Sequence, residues 1–221
     1  MRKKDFEAMG RRLLPDLPGF SIKGCLLLLR PLGHTLRGIC FNGSIDPRSF
    51  YVEVFIQPLF VPFPCIAFSI GWRLRRASGR SDSWGADDPH LVEELRMGLK
   101  REALPFLSRI QSPRDVADAA SVVHPIKGPV VQEVITYTSA DPIVQQAIAF
   151  ALARADETEK GREALAPLIR TLHDKIPWRR EMAERALSLQ GMLLNDPAAA
   201  RRQLDAWETQ TVKNLGLEQF R

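Results

Sequence analysis

With 221 residues, 45% of them hydrophobic and 26% charged, the chain has the length of one sizeable domain or two small ones and the composition of a soluble globular protein. That composition excludes disorder or a coiled coil as a reading of the whole. The formal net charge is +5 and unevenly spread: residues 1–80 carry 13 Lys and Arg against 5 Asp and Glu (+8), whereas residues 81–221 carry 18 against 21 (−3).

The opening, MRKKDFEAMGRRLLPDLPGF, has no continuous apolar run before Pro15 and Pro18, so no secretory signal is expected. Phe6, Met9 and Leu13 recur at helical spacing and predict a short amphipathic helix. GCLLLLR and GHTLRGICFN follow, short, apolar or alternating, with Asn42-Gly43 marking a turn after the second. Cys25, Cys40 and Cys65 are widely spaced and form no Cys-x-x-Cys pair. They fit buried, reduced thiols in a cytoplasmic protein, not a disulfide framework or a zinc site.

Residues 50–74, FYVEVFIQPLFVPFPCIAFSIGWRL, are apolar enough to suggest a membrane span. Glu53, Gln57, Pro58, Pro62 and Pro64 would break a helix in its middle, so no span is expected. Period two fits better. In YVEVFIQ, Val52, Val54 and Ile56 share a face; in CIAFSIGWRL, Ile66, Phe68, Ile70, Trp72 and Leu74 do. The prediction is a proline-linked hairpin with one heavily buried face, completing an antiparallel meander of about four strands.

RRASGRSDSWGADD (75–88) has no apolar period and reads as a loop or hinge. Beyond it the chain reads as helices. Asp88-Pro89, Ser112-Pro113, Asp141-Pro142 and Asp196-Pro197 each place a capping side chain before a proline, and Ser112 with Asp115 suggests a capping box. Stripes such as Leu91/Leu95/Leu99/Phe106/Ile110 and Met182/Ala186/Leu189/Leu193 mark core faces. The pairs at 141–174 and 177–214 approach the length of a tetratricopeptide repeat, but largely lack its aromatic, glycine and alanine signature, and read as helical hairpins. The fold class expected is therefore α+β: residues 1–85 a helix and antiparallel sheet, residues 86–221 helical, the two packed as one unit.

Chemistry-bearing motifs are sparse. Ala67-Phe-Ser69-Ile-Gly71 approximates a nucleophile elbow, with Asp141 and His173 in the right chain order for a triad. The alternation runs through Ser69 without a helix following, which makes a serine hydrolase the weakest of three readings. His34, His90, His124 and His173 include no pair at helical metal spacing, and no glycine-rich phosphate loop occurs. Asp87/Asp88 and Glu93/Glu94 suit a helix N-terminus. No catalytic residue, cofactor or metal is expected.

Charge is the remaining signal. Basic residues cluster at Arg2, Lys3, Lys4, Arg11 and Arg12, and again at Arg73, Arg75, Arg76 and Arg80 beside Trp84. The expected contact surface is Arg73, Arg75, Arg76, Arg80 and Trp84, with the tryptophan either anchoring a protein partner from the surface or folded back onto the sheet. Nucleic-acid binding through the basic first half is the alternative. The succession of alternating strands, SIGWRL, WGADDP and LVEELRMGLKREALPFL resembles uncharacterised bacterial α+β proteins. Those proteins have no assigned function, and the likeness transfers no functional residue; by size and build alone, such proteins also include adaptor or immunity partners of bacterial toxins.

Overall fold

A computed structural model describes residues 3–76, 82–124, 128–129 and 139–221. Helix α1 (Lys3–Leu13) leads into β1 (Phe20–Lys23), β2 (Leu26–Leu29), β3 (Thr35–Gly43), β4 (Ser49–Pro58), β5 (Ile70–Arg73) and β6 (Ser83–Gly85). Strands β1 to β5 form an antiparallel meander in chain order, and β6 pairs with β4 beside β5. Helices α2 (Leu91–Gly98), α3 (Leu104–Arg109) and α4 (Pro113–Val122) follow, then the two-residue strands β7 (Val123–His124) and β8 (Gly128–Pro129). Four longer helices complete the chain: α5 (Pro142–Arg154), α6 (Thr158–Ile169), α7 (Pro177–Asn195) and α8 (Pro197–Asn214). The fold is α+β, with the sheet in the first half and most helix in the second, as the patterning predicts.

The sequence reading is corrected at four points. FSIK forms the extra strand β1, and the expected hinge contains β6. The alternation of CIAFSIGWRL becomes strand only at Ile70–Arg73. Upstream, the side chain of Gln57 stands in for a neighbouring strand: its Nε2 donates to Cys65 O (3.3 Å) and its Oε1 accepts from Ala67 N (3.0 Å). Proline-interrupted backbone is thereby satisfied without a ladder. Cys25 and Cys40 are half-buried and buried, but Cys65 is exposed. Burial, then the nearby Cys25 thiol, pushes the Cys40 thiol well up.

Both sheet faces are covered, where one was expected. Ile39, Phe41, Val52, Val54, Ile56 and Trp72 face the helices. Phe6 of α1 stacks on Phe41 at 6.1 Å and meets Phe50 edge-on at 5.7 Å. On the reverse, Leu26, Leu28, Leu36, Cys40 and Phe55 pack beneath Val212, Leu217 and Phe220. Lys23 Nζ ties that segment down by donating to Leu215 O at 2.6 Å.

Arg37 joins the sheet to the helices. It is buried on β3, and burial lowers its pKa. Its guanidinium donates to Pro31 O (2.8 Å), Ile110 O (3.0 Å) and Leu107 O (3.5 Å), the latter two at the C-terminal end of α3. Cations suit that end of a helix.

Proline explains the break in the stripe from Leu91 to Ile110. Pro105 has no amide to donate, and residues Leu99–Ala103 widen into a π-helical turn in which Leu104 N–H reaches Leu99 O. Three of the four expected caps form. Asp141 Oδ1 accepts from Ile143 N (2.8 Å) and Asp196 Oδ1 from Ala199 N (3.0 Å). Asp115 Oδ2 accepts from Ser112 N (2.7 Å), while Ser112 Oγ accepts from Asp115 N (3.2 Å). At Asp88 the helix starts later, at Leu91, and Asp88 Oδ1 instead accepts from His90 N at 2.9 Å.

The reciprocal cap of α4 gives a pH prediction. Burial opposes ionisation of Asp115, but amides of Gln111 and Ser112 and the Ser112 hydroxyl outweigh it and hold the carboxyl below its usual pKa. A folded pKa below the unfolded one stabilises above the unfolded value, and the gain is lost as pH falls through the folded value. Asp115→Ala is expected to cost about 1 kcal/mol at neutral pH. Urea midpoints of wild type and variant should converge below about pH 4.

Candidate functional site

Of the arginines singled out from the sequence, Arg73 ends β5 and Arg76 lies just beyond it, each paired with different acids of the chain. The Arg73 guanidinium lies 3.9 Å over the Tyr51 ring, with Nε 3.5 Å from Glu53 Oε1 and Nη1 3.3 Å from Asp82 Oδ2. Partial burial works against its charge, but Asp82 and then Glu53 outweigh this and raise its pKa. Arg76 pairs with Asp88 and, at 2.9 Å, with Glu94. Asp88 first, and Glu94 after it, stabilise its charged form. Asp88 is held below the usual carboxylate range by the His90 amide and by Arg76. Arg75 is exposed, and Arg80 lies outside the described residues.

Trp84 corrects the expected surface. It is 0% exposed, donates from Nε1 to Leu74 O at 3.0 Å, and carries Arg76 5.9 Å from its ring. The polar stretch around it gives no periodicity from which to read burial; pairing of β6 with β4 at Phe50 is what turns the indole inward.

Beside Arg73 the sheet opens into a cleft of about 390 Å³ lined by Glu53, Phe68, Gly71, Arg73 and Asp82 among others. Its floor is bare because a Cβ on Gly71 would fall 2.2 Å from Val54 O. One wall is Phe68, 36% exposed and packed edge-on against Phe55 at 4.9 Å. Spacing had assigned Phe68 to the buried face; the segment leaves the sheet before Ile70 and presents it at the surface. Glu53 is 13% exposed on its side chain, and its Oε2 is buried without a hydrogen-bond partner. The cleft therefore combines an apolar wall with charges of both signs. A larger hollow at α8 (about 440 Å³) is lined by Arg201, Arg202, Asp156 and Asp205 among others, charges that pair with acids and bases of the chain itself.

Ser69 stands before a strand and not at a strand-to-helix turn, and the narrow gap it lines holds neither a carboxylate nor an imidazole. Asp141 is occupied in capping α5, and His173 lies exposed in the α6–α7 connection. Among the described residues, no group of three or more His, Cys, Asp or Glu side chains is placed to hold a metal, and no helix is long and apolar enough to cross a membrane.

Trp178 is the aromatic that spacing concealed. It falls four residues before Met182 and so extends the buried stripe of α7, yet it is 45% exposed in the first turn of that helix. No family model, no curated protein and no solved structure matches this chain.

Proposed function

We propose that this protein is a non-enzymatic interaction protein of adaptor type, which holds a protein partner at the β5 cleft. The observation that carries the reading is the cleft itself: exposed Phe68 beside Glu53, Arg73 and Asp82. Interface anchors combine such an apolar contact with polar groups that fix orientation. The ion pairs of Arg73 and Arg76 weigh against nucleic acid at this spot, because a phosphate would have to displace carboxylates already in place.

The test is affinity capture from native lysate with the wild type and a Phe68→Ser, Glu53→Gln double variant. Phe68 is 36% exposed and Glu53→Gln keeps the side chain's shape, so the variant is expected to keep its thermal midpoint within a few degrees. A partner recovered by the wild type and lost by the variant supports the reading. Equal recovery of the same partners would overturn it.

A further inference from the structure

The corner between α6 and α7 forms a second surface, remote in sequence from the cleft. Residues 170–180 hold Arg170, Lys175, Arg179 and Arg180 against a single acid, Asp174. Arg170, His173, Lys175 and Arg180 are exposed. Asp174 is already satisfied: its Oδ1 accepts from Ile176 N at 2.9 Å, and its Oδ2 accepts from Arg179 Nη1 at 3.3 Å. These contacts hold its carboxyl below the usual range, led by the Ile176 amide. The exposed charge of this stretch is therefore positive, and Glu181, the exposed acid that follows it, pairs with Arg185 at 3.1 Å.

In the middle of these cations lies an apolar run, Ile176-Pro177-Trp178. Ile176 is 39% exposed, and the Arg179 guanidinium sits 5.3 Å from the Trp178 ring. Asp174 holds Arg179, whose guanidinium lies over the indole. A half-exposed tryptophan in a segment rich in Lys and Arg has the composition of an interface hot spot whose partner is acidic.

Two other anionic surfaces fit less well. A bilayer anchor has to enter the headgroup region by roughly 5–10 Å, whereas Ile176 and Trp178 lie down on the protein with more than half their surface covered. A single-strand nucleic-acid platform stacks successive bases on successive aromatics, and this corner offers one ring.

We infer that the α6–α7 corner docks an acidic polypeptide segment bearing an apolar side chain, which covers Trp178 while its carboxylates meet the exposed Lys175, Arg180 and Arg170. This surface is independent of the β5 cleft, so an adaptor would have two contacts of different chemistry.

The test uses the full chain and a fluorescein-labelled peptide repeating Glu-Asp-Leu, followed by fluorescence anisotropy. An all-Glu peptide, vesicles of phosphatidylserine with phosphatidylcholine, and duplex DNA serve as the other arms. The Glu-Asp-Leu peptide should bind with an affinity that falls as salt rises. Trp178→Ala should weaken it by about tenfold or more, and Lys175→Glu with Arg180→Glu should remove it. Phe68→Ser should leave it unchanged. Trp178 is surface-exposed, so circular dichroism and the thermal midpoint should be retained in each variant. No binding at low salt, equal binding of the all-Glu peptide, indifference to Trp178→Ala, or preference for vesicles or DNA would each overturn the inference.

Discussion

Trp84→Ala is expected to destabilise the protein by about 3–5 kcal/mol, the cost of emptying a large aromatic site in a core. The indole is fully buried, and the substitution removes both its volume and the donor that satisfies Leu74 O at 3.0 Å. It also removes the side chain that seats β6 along β4, where Phe50 opposes Trp84 directly. Trp84→Phe keeps most of the ring and loses the hydrogen bond, so about 1–2 kcal/mol is expected. Urea denaturation followed by circular dichroism measures both. A loss below about 1 kcal/mol for Trp84→Ala would mean that the indole is not a core element. The result bears on partner binding as well. Loss of a partner on Trp84→Ala would report unfolding of the β6 edge, whereas Phe68→Ser tests the surface without that confusion.

The contrast between Trp84 and Trp178 says what spacing can and cannot reveal. Periodicity reports which side chains share a face, so it found the α1 face at Phe6, Met9 and Leu13 and the helix-facing side of β4 at Val52, Val54 and Ile56. It does not report whether a neighbour reaches that face. Trp178 shares a face with Met182 and lies in the outermost turn; Trp84 shares no periodic face and is covered on all sides. Capping pairs were legible because they are local, and Asp141, Asp196 and the Ser112–Asp115 box form at the positions expected. The second covered face of the sheet was not, because Val212, Leu217 and Phe220 join the cluster of Leu26 and Phe55 from across most of the chain's length. For the same reason the neutralising acids of the arginine cluster stayed hidden: Glu53, Asp82, Asp88 and Glu94 are brought to Arg73 and Arg76 only by folding.

Arg37 carries the second large expected effect, and it too is invisible to pattern. Its place in the alternation puts a cation on the buried helix-facing side of β3, where an unpaired charge would cost several kcal/mol. Three carbonyls make the site tolerable, and two of them close the end of α3. Arg37→Leu should therefore destabilise by about 2–4 kcal/mol: bonds to a charged donor are lost and the carbonyls stay buried, offset in part by relief of guanidinium desolvation. Arg37→Lys keeps the charge, but a single ammonium cannot span acceptors on Pro31, Leu107 and Ile110, so most of the loss should remain. Both values come from urea midpoints at an unchanged slope. Hydrogen exchange should localise the damage, with protection falling first in α3 and the β2–β3 connection. If Arg37→Lys matched wild type, a point charge near the helix end would suffice, and the guanidinium fork would not be what fastens the helices to the sheet.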